Sequence, residues 1–410
     1  MSLSFPIDAD VAIAGAGIVG LAHAYDAALR GLRVAVVDRD PYAVGASVRN
    51  FGHGIASALA GTDAHAVALD ARERWLALGH AAGFAVSEQG TLMVARHADE
   101  LAAMAAFADR HPEIATVLSP RAAGHVAPIP AADAGVLGAL HAPGDLRVDA
   151  ERAVGAIATY LADAHSVRFA WGARVVAYEP GVLHTARGRV RAPAIILCPG
   201  AELLEHSARE GLTRCRLQML DVEAPAGRRY GPALMTGLSL LRYPGFAALP
   251  EVAAVRKRLE AERPEIVEHG VHLIVTQRPD GRLVVGDTHA YGAAVEPWRE
   301  EALDELLLAE AGALLGVRKL RVRRRWVGVY PAAPGSPFAV EAPCRGVRVV
   351  GVVSGIGMTT ALGLAPRVLD GLLADQAAAD PATGVDDAAY ATPDRGSTST
   401  WSVIENASPR

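Results

Sequence analysis

The chain has 410 residues, enough for two or three domains of ordinary size, and 51% are hydrophobic, enough to bury a large core. Its 40 Lys+Arg against 45 Asp+Glu leave a net charge of -5, with no basic footprint for nucleic acid. No run approaches the ~18 apolar residues of a membrane span, no basic stretch precedes an apolar leader, and Cys198, Cys215 and Cys344 lack ligand spacing, so the sequence reads as a cytoplasmic protein with buried thiols and no metal.

The first element is a short buried strand at Val11 to Ala14. Gly15, Gly17 and Gly20 then make a G-x-G-x-x-G turn into a helix over Ile18 to Arg30. Gly31 sits where a left-handed cap is wanted, and a second apolar strand, Arg33 to Val37, ends at Asp38. The spacing has a chemical reason. Gly15 allows the tight turn, Gly17 lets backbone approach a pyrophosphate, and Gly20 lets helix and strand pack closely. The helix N-terminus offers N–H groups to phosphate, and Asp38 can accept from a ribose diol. This predicts a dinucleotide site. It does not separate FAD from NAD; the acid at position 38 argues only against NADP.

Pro41, Gly45, Gly52 and Gly54 mark the next stretch, from Arg39, as a loop. A helix follows over Thr62 to Ala82, then a strand over Gly90 to Arg96 and a helix over Asp99 to Arg110. Pro120 to Pro143 reads as loop, and Asp149 to Ala164 as a helix. Val167 to Tyr178 and Val182 to Val190 read as strands of a small meander. Ala194 to Ala201 is an apolar strand running into a Pro-Gly turn. From Arg216 the pattern changes. Strands at Leu217 to Val222, His272 to Gln277, Leu283 to Asp287 and Val322 to Val329 alternate with helices near Pro250 to Ala261 and Pro297 to Leu315. This reads as an antiparallel sheet with helices. Val347 to Val353 is again a continuous apolar strand, followed by Gly355-x-Gly357 and a helix to about Ala374. The tail from Ala377, rich in Ala, Pro, Thr, Ser and Asp, reads as a flexible extension.

A second glycine turn near the C-terminus means that both ends of the chain build one nucleotide site. It places further backbone N–H groups beside an electron-rich group. Flavin chemistry needs such donors, because the reduced ring carries negative charge near N1 and O2.

Four segments, GAGIVG (15–20) with Asp38, GASVRNFG (45–52), ILCPGA (196–201) and VVSGIGMTTA (352–361), resemble the D-amino acid oxidase-like superfamily of FAD-dependent amine oxidoreductases, which includes glycine oxidase and monomeric sarcosine oxidase. ASVRNFG, LQML, LLRYPGF, PDGRLVVGDTHAYG and RRWVGVY are similar to one subfamily associated with bacterial aminophosphonate catabolism. The resemblance implies an α/β fold: a Rossmann-like FAD-binding domain of the GR2 type (1–80, 146–210, 331–376) with an inserted antiparallel-sheet substrate domain (81–145, 211–330) and a tail (377–410). It implies hydride transfer from the carbon bearing nitrogen to flavin N5, giving an imine and then an aldehyde. The substrate would be a small amine with an anionic end, 2-aminoethylphosphonate or an N-alkylated or hydroxylated relative. The electron acceptor would be O2 or another oxidant.

The same resemblance assigns roles. Gly15, Ala16, Gly17, Ile18, Val19 and Gly20 would hold the FAD pyrophosphate, Asp38 the ribose and Arg39 the adenine. Ser47, Val48, Arg49 and Asn50 would run toward the flavin, although Ser47 and Asn50 also suit a turn that bonds its own backbone. Val175 would touch adenine, and Pro199 and Gly200 would close the pyrophosphate pocket. Gly355, Ile356, Gly357, Met358 and Thr359 would meet the O2 side of the ring. The amine must be neutral to react and its free pKa is about 10, so a base is wanted. His53, His289 and Tyr330 are the catalytic candidates. Arg49, Arg242 and Arg278 are the cations for the anionic end, joined at the substrate by Gln218, Tyr243, Trp326 and Tyr330, with Tyr291 as a further neutral donor.

Two departures from the family pattern matter. Tyr330 stands where glycine oxidase-like enzymes carry a carboxylate-binding Arg, which speaks against a plain amino acid. Gly328 stands where sarcosine oxidase-like enzymes carry a flavin-linking Cys, and their lysine has no counterpart on the Leu283 to Gly286 strand, so the FAD is expected to be noncovalent. A histidine link through the loop around His53 is the covalent alternative. The competing functions are an oxidase or dehydrogenase of glycine, sarcosine or D-amino acids, and a noncatalytic FAD-binding subunit. An aromatic monooxygenase is disfavoured because VVGDTHAY lies far upstream of GIGMTT. An NAD-dependent dehydrogenase would lack the C-terminal glycine strand.

Overall fold

A computed structural model describes residues 5–130 and 135–377. All but the first residue of the expected tail lies outside the described residues.

Val11–Ala14 is buried throughout and pairs in parallel with Val34–Val37 on one side and Ala194–Leu197 on the other. A parallel strand covered on both faces needs apolar side chains at every position, and VAIA, VAVV and AIIL supply them. The distant strand Val347–Val352 adds to Ala194–Leu197, also in parallel, and Phe338–Glu341 closes that edge antiparallel. With Arg168–Ala170 on the far side of Val34–Val37, this sheet has six strands among the described residues. Ile18–Leu29, Asp63–Ala82, Ala150–His165 and Gly357–Ala377 cover it, sharing one core through Leu21, Trp75, Ile157 and Leu369.

The stretch expected as one strand over 167–178 is two. Arg168–Ala170 joins the parallel sheet, whereas Val175–Glu179 pairs with Val182–Thr185 in a separate sheet. Gly172 N donates to Asp40 O at 3.1 Å and Ala173 N to Asp38 O at 2.7 Å, so the break is pinned over the end of the Val34–Val37 strand. It sets Val175 at the edge of the cleft described below.

The second large sheet has nine strands among the described residues. Thr213–Val222 is its long central strand, flanked by Leu283–Gly286, Ala290–Gly292 and Val322–Ala332. Leu283–Gly286 continues the sheet through Ile274–Gln277, Ala233–Thr236, Thr91–Ala95, Gly138–Ala142 and Thr116–Leu118. The sheet is antiparallel except where Ala233–Thr236 runs parallel to Thr91–Ala95. The loop expected over 120–143 is wrong in part. Pro120–Val126 is a helix, with Pro at its first position and Ser119 Oγ accepting from Ala122 N at 3.3 Å. Gly138–Ala142 is a strand held on both sides, which its surrounding prolines and glycines hid. Two helices start later than expected, at Val252 and Glu301 rather than at Pro250 and Pro297.

Candidate active site

The carboxyl ends of the parallel strands open onto a long cleft. Its outer part is lined by Gly15, Gly17, Asp38, Arg39, Ser47, Arg49, Val175, Pro199 and Gly200. Gly17, Ser47, Arg49, Cys198 and Gly200 also line an inner cavity, so the two spaces adjoin. The inner walls include Ile18, Val19, Asn50, Phe51, His53 and residues 354–359. From the second sheet they include Leu217, Met219 and Tyr330, and from the segments between its strands Arg242, Tyr243, His272, Asp287 and His289. Residues as distant in the chain as Gly17 and Thr359 thus line one space, because the parallel sheet sets the strands that precede them side by side.

The glycine turn is built as its spacing requires. A Cβ on Gly20 would lie 1.8 Å from Gly15 O, so the helix could not sit this close to the strand with any other residue there. Ala16 N donates to Asp38 Oδ2 at 2.7 Å, and Ile18 N to Ser47 Oγ at 2.9 Å. Arg39 is ion-paired to Glu202 across the outer cleft. Asn50 donates to Ala46 O and Ser47 O at 2.9 and 3.0 Å and accepts from Gly52 N at 2.7 Å, so its amide is spent on its own turn. At the other end of the cavity Gly355, at φ +77°, would press a Cβ to 3.0 Å from the Tyr330 ring.

Arg242 dominates the inner electrostatics. It is half-buried and donates to Tyr330 Oη at 3.0 Å, Ser354 O at 3.1 Å and His289 Nε2 at 3.3 Å. Burial works against its charge, but Tyr330, Tyr291 and Tyr243 around it hold its pKa above the ordinary value. Burial, opposed by Arg242, also raises the hydroxyl of Tyr330 well above the usual range, so it stays protonated.

The hydrogen bonds fix the histidine tautomers. His289 Nδ1 lies 2.9 Å from Gly270 O and must donate, so Nε2 carries the lone pair that accepts from Arg242. Burial and then Arg242 push its pKa down to about 3. Both nitrogens are engaged, which makes His289 a poor base. His53 Nε2 lies 2.7 Å from Thr91 Oγ1, whose own proton goes to Asp145 Oδ2 at 2.7 Å. His53 therefore donates through Nε2 and keeps a bare lone pair on Nδ1, which has no partner. Burial and then Arg147 push its pKa to about 3. His272, Asp287 and His289 hold ligand-type atoms within 4.8 Å of one another. This is metal-like spacing, but both nitrogens of His289 are engaged, so His289 itself offers no lone pair to a metal ion.

Several residues expected at the site are elsewhere. Gln218 lies on the opposite face of its strand from Leu217 and Met219. It donates to Asp304 Oδ1 at 2.8 Å and Glu300 O at 3.0 Å, against the Glu301–Leu315 helix. Arg278 is ion-paired with Glu151 and lies 3.7 Å from Asp149, lining a separate small void. Trp326 shares the face of Gly328 and Tyr330 but stops short of the cavity, its Nε1 donating to Arg49 O at 3.1 Å. Ala16, Val48 and Gly20 lie behind the cleft wall, Ala16 and Gly20 buried and Val48 packed on the helical core. Of the thiols expected to be buried, Cys215 is, while Cys198 and Cys344 are half-buried.

The sequence reading did not single out Asp287 or His272. They meet because Ile274–Gln277 and Leu283–Gly286 pair antiparallel, Asp287 N donating to His272 O at 2.9 Å. Counting back from the PDG turn brings these two positions side by side, so the signal was there in the hairpin.

A family model described as DAO, FAD dependent oxidoreductase, matches residues 10–369. The chain is a DAO-family FAD-dependent oxidoreductase. Among solved structures, this oxidoreductase is similar to glycine oxidase from Geobacillus kaustophilus at 21% identity and a TM-score of 0.71, covering 90% of this chain and 95% of that one. L-proline dehydrogenase from P. horikoshii matches at 16% identity and a TM-score of 0.73, covering 89% and 93%. Iminodiacetate oxidase from Chelativorans sp. BNC1 matches at 20% and 0.68, covering 89% and 95%. No curated protein matches the chain by sequence. No helix of the described residues is long and apolar enough to cross a membrane.

The residues present fit the cofactor of this family. The Gly15–Gly20 turn gives the close backbone approach a pyrophosphate needs, and the outer cleft carries Asp38 at its rim. Ser354 Oγ, beside the second glycine turn, is buried without a partner, as expected of a group that a ligand completes.

Proposed function

We propose that this oxidoreductase oxidises the C–N bond of a small amine with an anionic end, and that the substrate is an aminophosphonate such as 2-aminoethylphosphonate or its N-methyl derivative. The observation that carries this reading is Arg242, a half-buried cation held by Tyr330 and Ser354 in the inner cavity. A guanidinium desolvated there suits an anion as its partner, and its fork can bind phosphonate oxygens in pairs. The exposed Arg49 at the junction of the two spaces adds a second positive charge. Glycine oxidase and iminodiacetate oxidase, by name, act on amines that carry carboxylates. Here Tyr330 replaces the arginine of the glycine oxidase pattern and the cation comes instead from Arg242.

Bound FAD supplies the acceptor for the hydride. The chain's own residues position the rest. Leu217, Met219 and Phe51 give the cavity an apolar wall that excludes water. Tyr330, kept protonated by burial, can donate to the anion. His53 lines the cavity and keeps an unpartnered lone pair on Nδ1 that an amine N–H can satisfy. Nothing in the lining residues supplies a flavin-linking cysteine at Gly328, and His53 is held by Thr91, in keeping with noncovalent FAD. The test is product identity. Incubating the holoenzyme in air with 2-aminoethylphosphonate, its N-methyl derivative, glycine, sarcosine and D-alanine, and trapping carbonyl products with a hydrazine, should give phosphonoacetaldehyde hydrazone from the phosphonates alone. Glyoxylate from glycine or sarcosine would instead assign an amino-acid oxidase.

A further inference from the structure

Two residues that line the inner cavity carry buried acceptors without a partner. Asp287 is 4% exposed and its Oδ1 has no hydrogen-bond partner. His272 Nε2 lies 3.1 Å away but out of line for a hydrogen bond. His53 is 7% exposed, and its Nδ1 lone pair is likewise unpartnered. A buried acceptor left unmet is destabilising. Two in one cavity call for a ligand that only donates, and an ammonium is such a group. The donors of the same cavity, Arg242 and Tyr330, are of the opposite character. The lining is thus divided between groups that suit an anion and groups that suit a cation.

We propose that Asp287 is the amine-receiving residue: its carboxylate binds the substrate ammonium, with His53 Nδ1 as second acceptor, and takes the proton that must leave before oxidation. This rests on the amine-oxidation reading above. The N–H bond breaks, its electron pair stays on nitrogen, and an O–H bond forms on Asp287. The neutral amine is the form from which bound FAD would accept a hydride at carbon, the nitrogen lone pair then closing the C=N bond. The substrate would so lose one proton, to Asp287, and one hydride, to the cofactor. His272 is a positioning residue, packed against the carboxyl and stacked on His289 with ring centroids 4.9 Å apart.

The electrostatics suit the role. The groups around Asp287 are Arg242, His272, His289, Tyr243 and the Cys215 thiol. Burial raises the Asp287 carboxyl to about 8, against the pull of Arg242. Its proton affinity therefore lies far nearer that of a free amine, about 10, than an ordinary carboxylate's would. Burial keeps His272 neutral, so it adds no competing positive charge.

The test uses FAD-loaded protein and anaerobic rapid mixing with whichever of the amines above reduces the wild type, from about pH 6 to about pH 10, a range spanning the carboxyl and the free amine. Asp287→Asn should slow flavin reduction about 10²–10⁴-fold at about pH 8, where the wild-type carboxyl ionises, and move the rising limb of the pH profile to the substrate's own amine pKa. Its flavin should still respond to ethylphosphonate, which has no amine, with wild-type affinity. Asp287→Glu, which keeps the acid, should retain a rising limb below that of the amine and serves if the Asn variant loses FAD. A wild type that amines reduce, with variants of unchanged rate and profile, would overturn the role of Asp287 alone. A wild type that no amine reduces would overturn the amine reading and this inference with it.

Discussion

Arg242 is the residue whose loss should be felt most in substrate binding. It makes three hydrogen bonds inside the cavity, and each to a charged group contributes about 1.5–3 kcal/mol. Arg242→Lys keeps a charge but loses the planar fork, so ethylphosphonate affinity, read from the flavin spectrum, should fall about 10–100-fold. The same variant should leave the affinity for amines without an anionic end within about twofold, since their partners lie elsewhere. An equal loss for both would mean that Arg242 only supports the cavity wall. At this scale the sequence was partly readable. LLRYPGF and GDTHAYG named Arg242, Tyr243 and His289, and all three line one cavity with Tyr330. Their partners were not readable. That His289 is tied at both nitrogens depends on Gly270 and Arg242, residues from other elements. Gln218 and Arg278 carried suitable chemistry but point away, Gln218 because strand alternation turns it to the back and Arg278 because Glu151 and Asp149 capture it.

At the scale of elements, two close approaches hold the cleft in shape. Gly20→Ala would put a methyl on Gly15 O, and the helix or the turn must give way. We expect a loss of about 1–3 kcal/mol in stability and a larger loss of FAD, measured by thermal melting and by flavin retained through gel filtration. Gly355→Ala combines left-handed backbone, at φ +77°, with contact on Tyr330. It should cost about 1–2 kcal/mol and disturb the Tyr330–Arg242 bond, so it should weaken ethylphosphonate binding as well, whereas Gly20→Ala acts on FAD first. Elements with continuous apolar runs and glycine turns were legible: the strands at Val11, Val34, Ala194 and Val347 all sit in one parallel sheet. The helix at Pro120 and the strand at Gly138 were not. Both are short: the helix is started by Ser119 and Pro120, residues that also mark turns, and the strand is decided by its pairing partners.

At the scale of the molecule, the buried histidines set how it responds to acid. Burial is the leading cause in each case, lowering His23 to about 4, His53 and His289 to about 3, and His272 well below its usual value. The unfolded chain takes up protons below about 6.5 that the folded one refuses. Stability from these groups is therefore complete above about 6.5 and is lost as pH falls from there toward about 3. Asp287 has the opposite sign. Its folded pKa of about 8 lies above the unfolded value, so the folded state holds the extra proton and the contribution declines as pH rises from about 4 through about 8. Urea midpoints should drop between about pH 7 and about pH 5, and Asp287→Asn should gain stability over wild type as pH rises toward about 9. A variant gap that stays flat with pH would show that Asp287 does not titrate abnormally.

The division of the cavity between donors for an anion and acceptors for an amine leads to one decisive measurement: anaerobic loss of flavin absorbance when the holoenzyme meets 2-aminoethylphosphonate or its N-methyl derivative, with glycine, sarcosine and D-alanine beside it. The account predicts bleaching by an aminophosphonate at concentrations where the carboxylate amines leave the flavin oxidised. Bleaching by glycine, sarcosine or D-alanine in preference to the phosphonates would contradict it, and a flavin that none of these amines reduces would contradict amine oxidation as the function of this site.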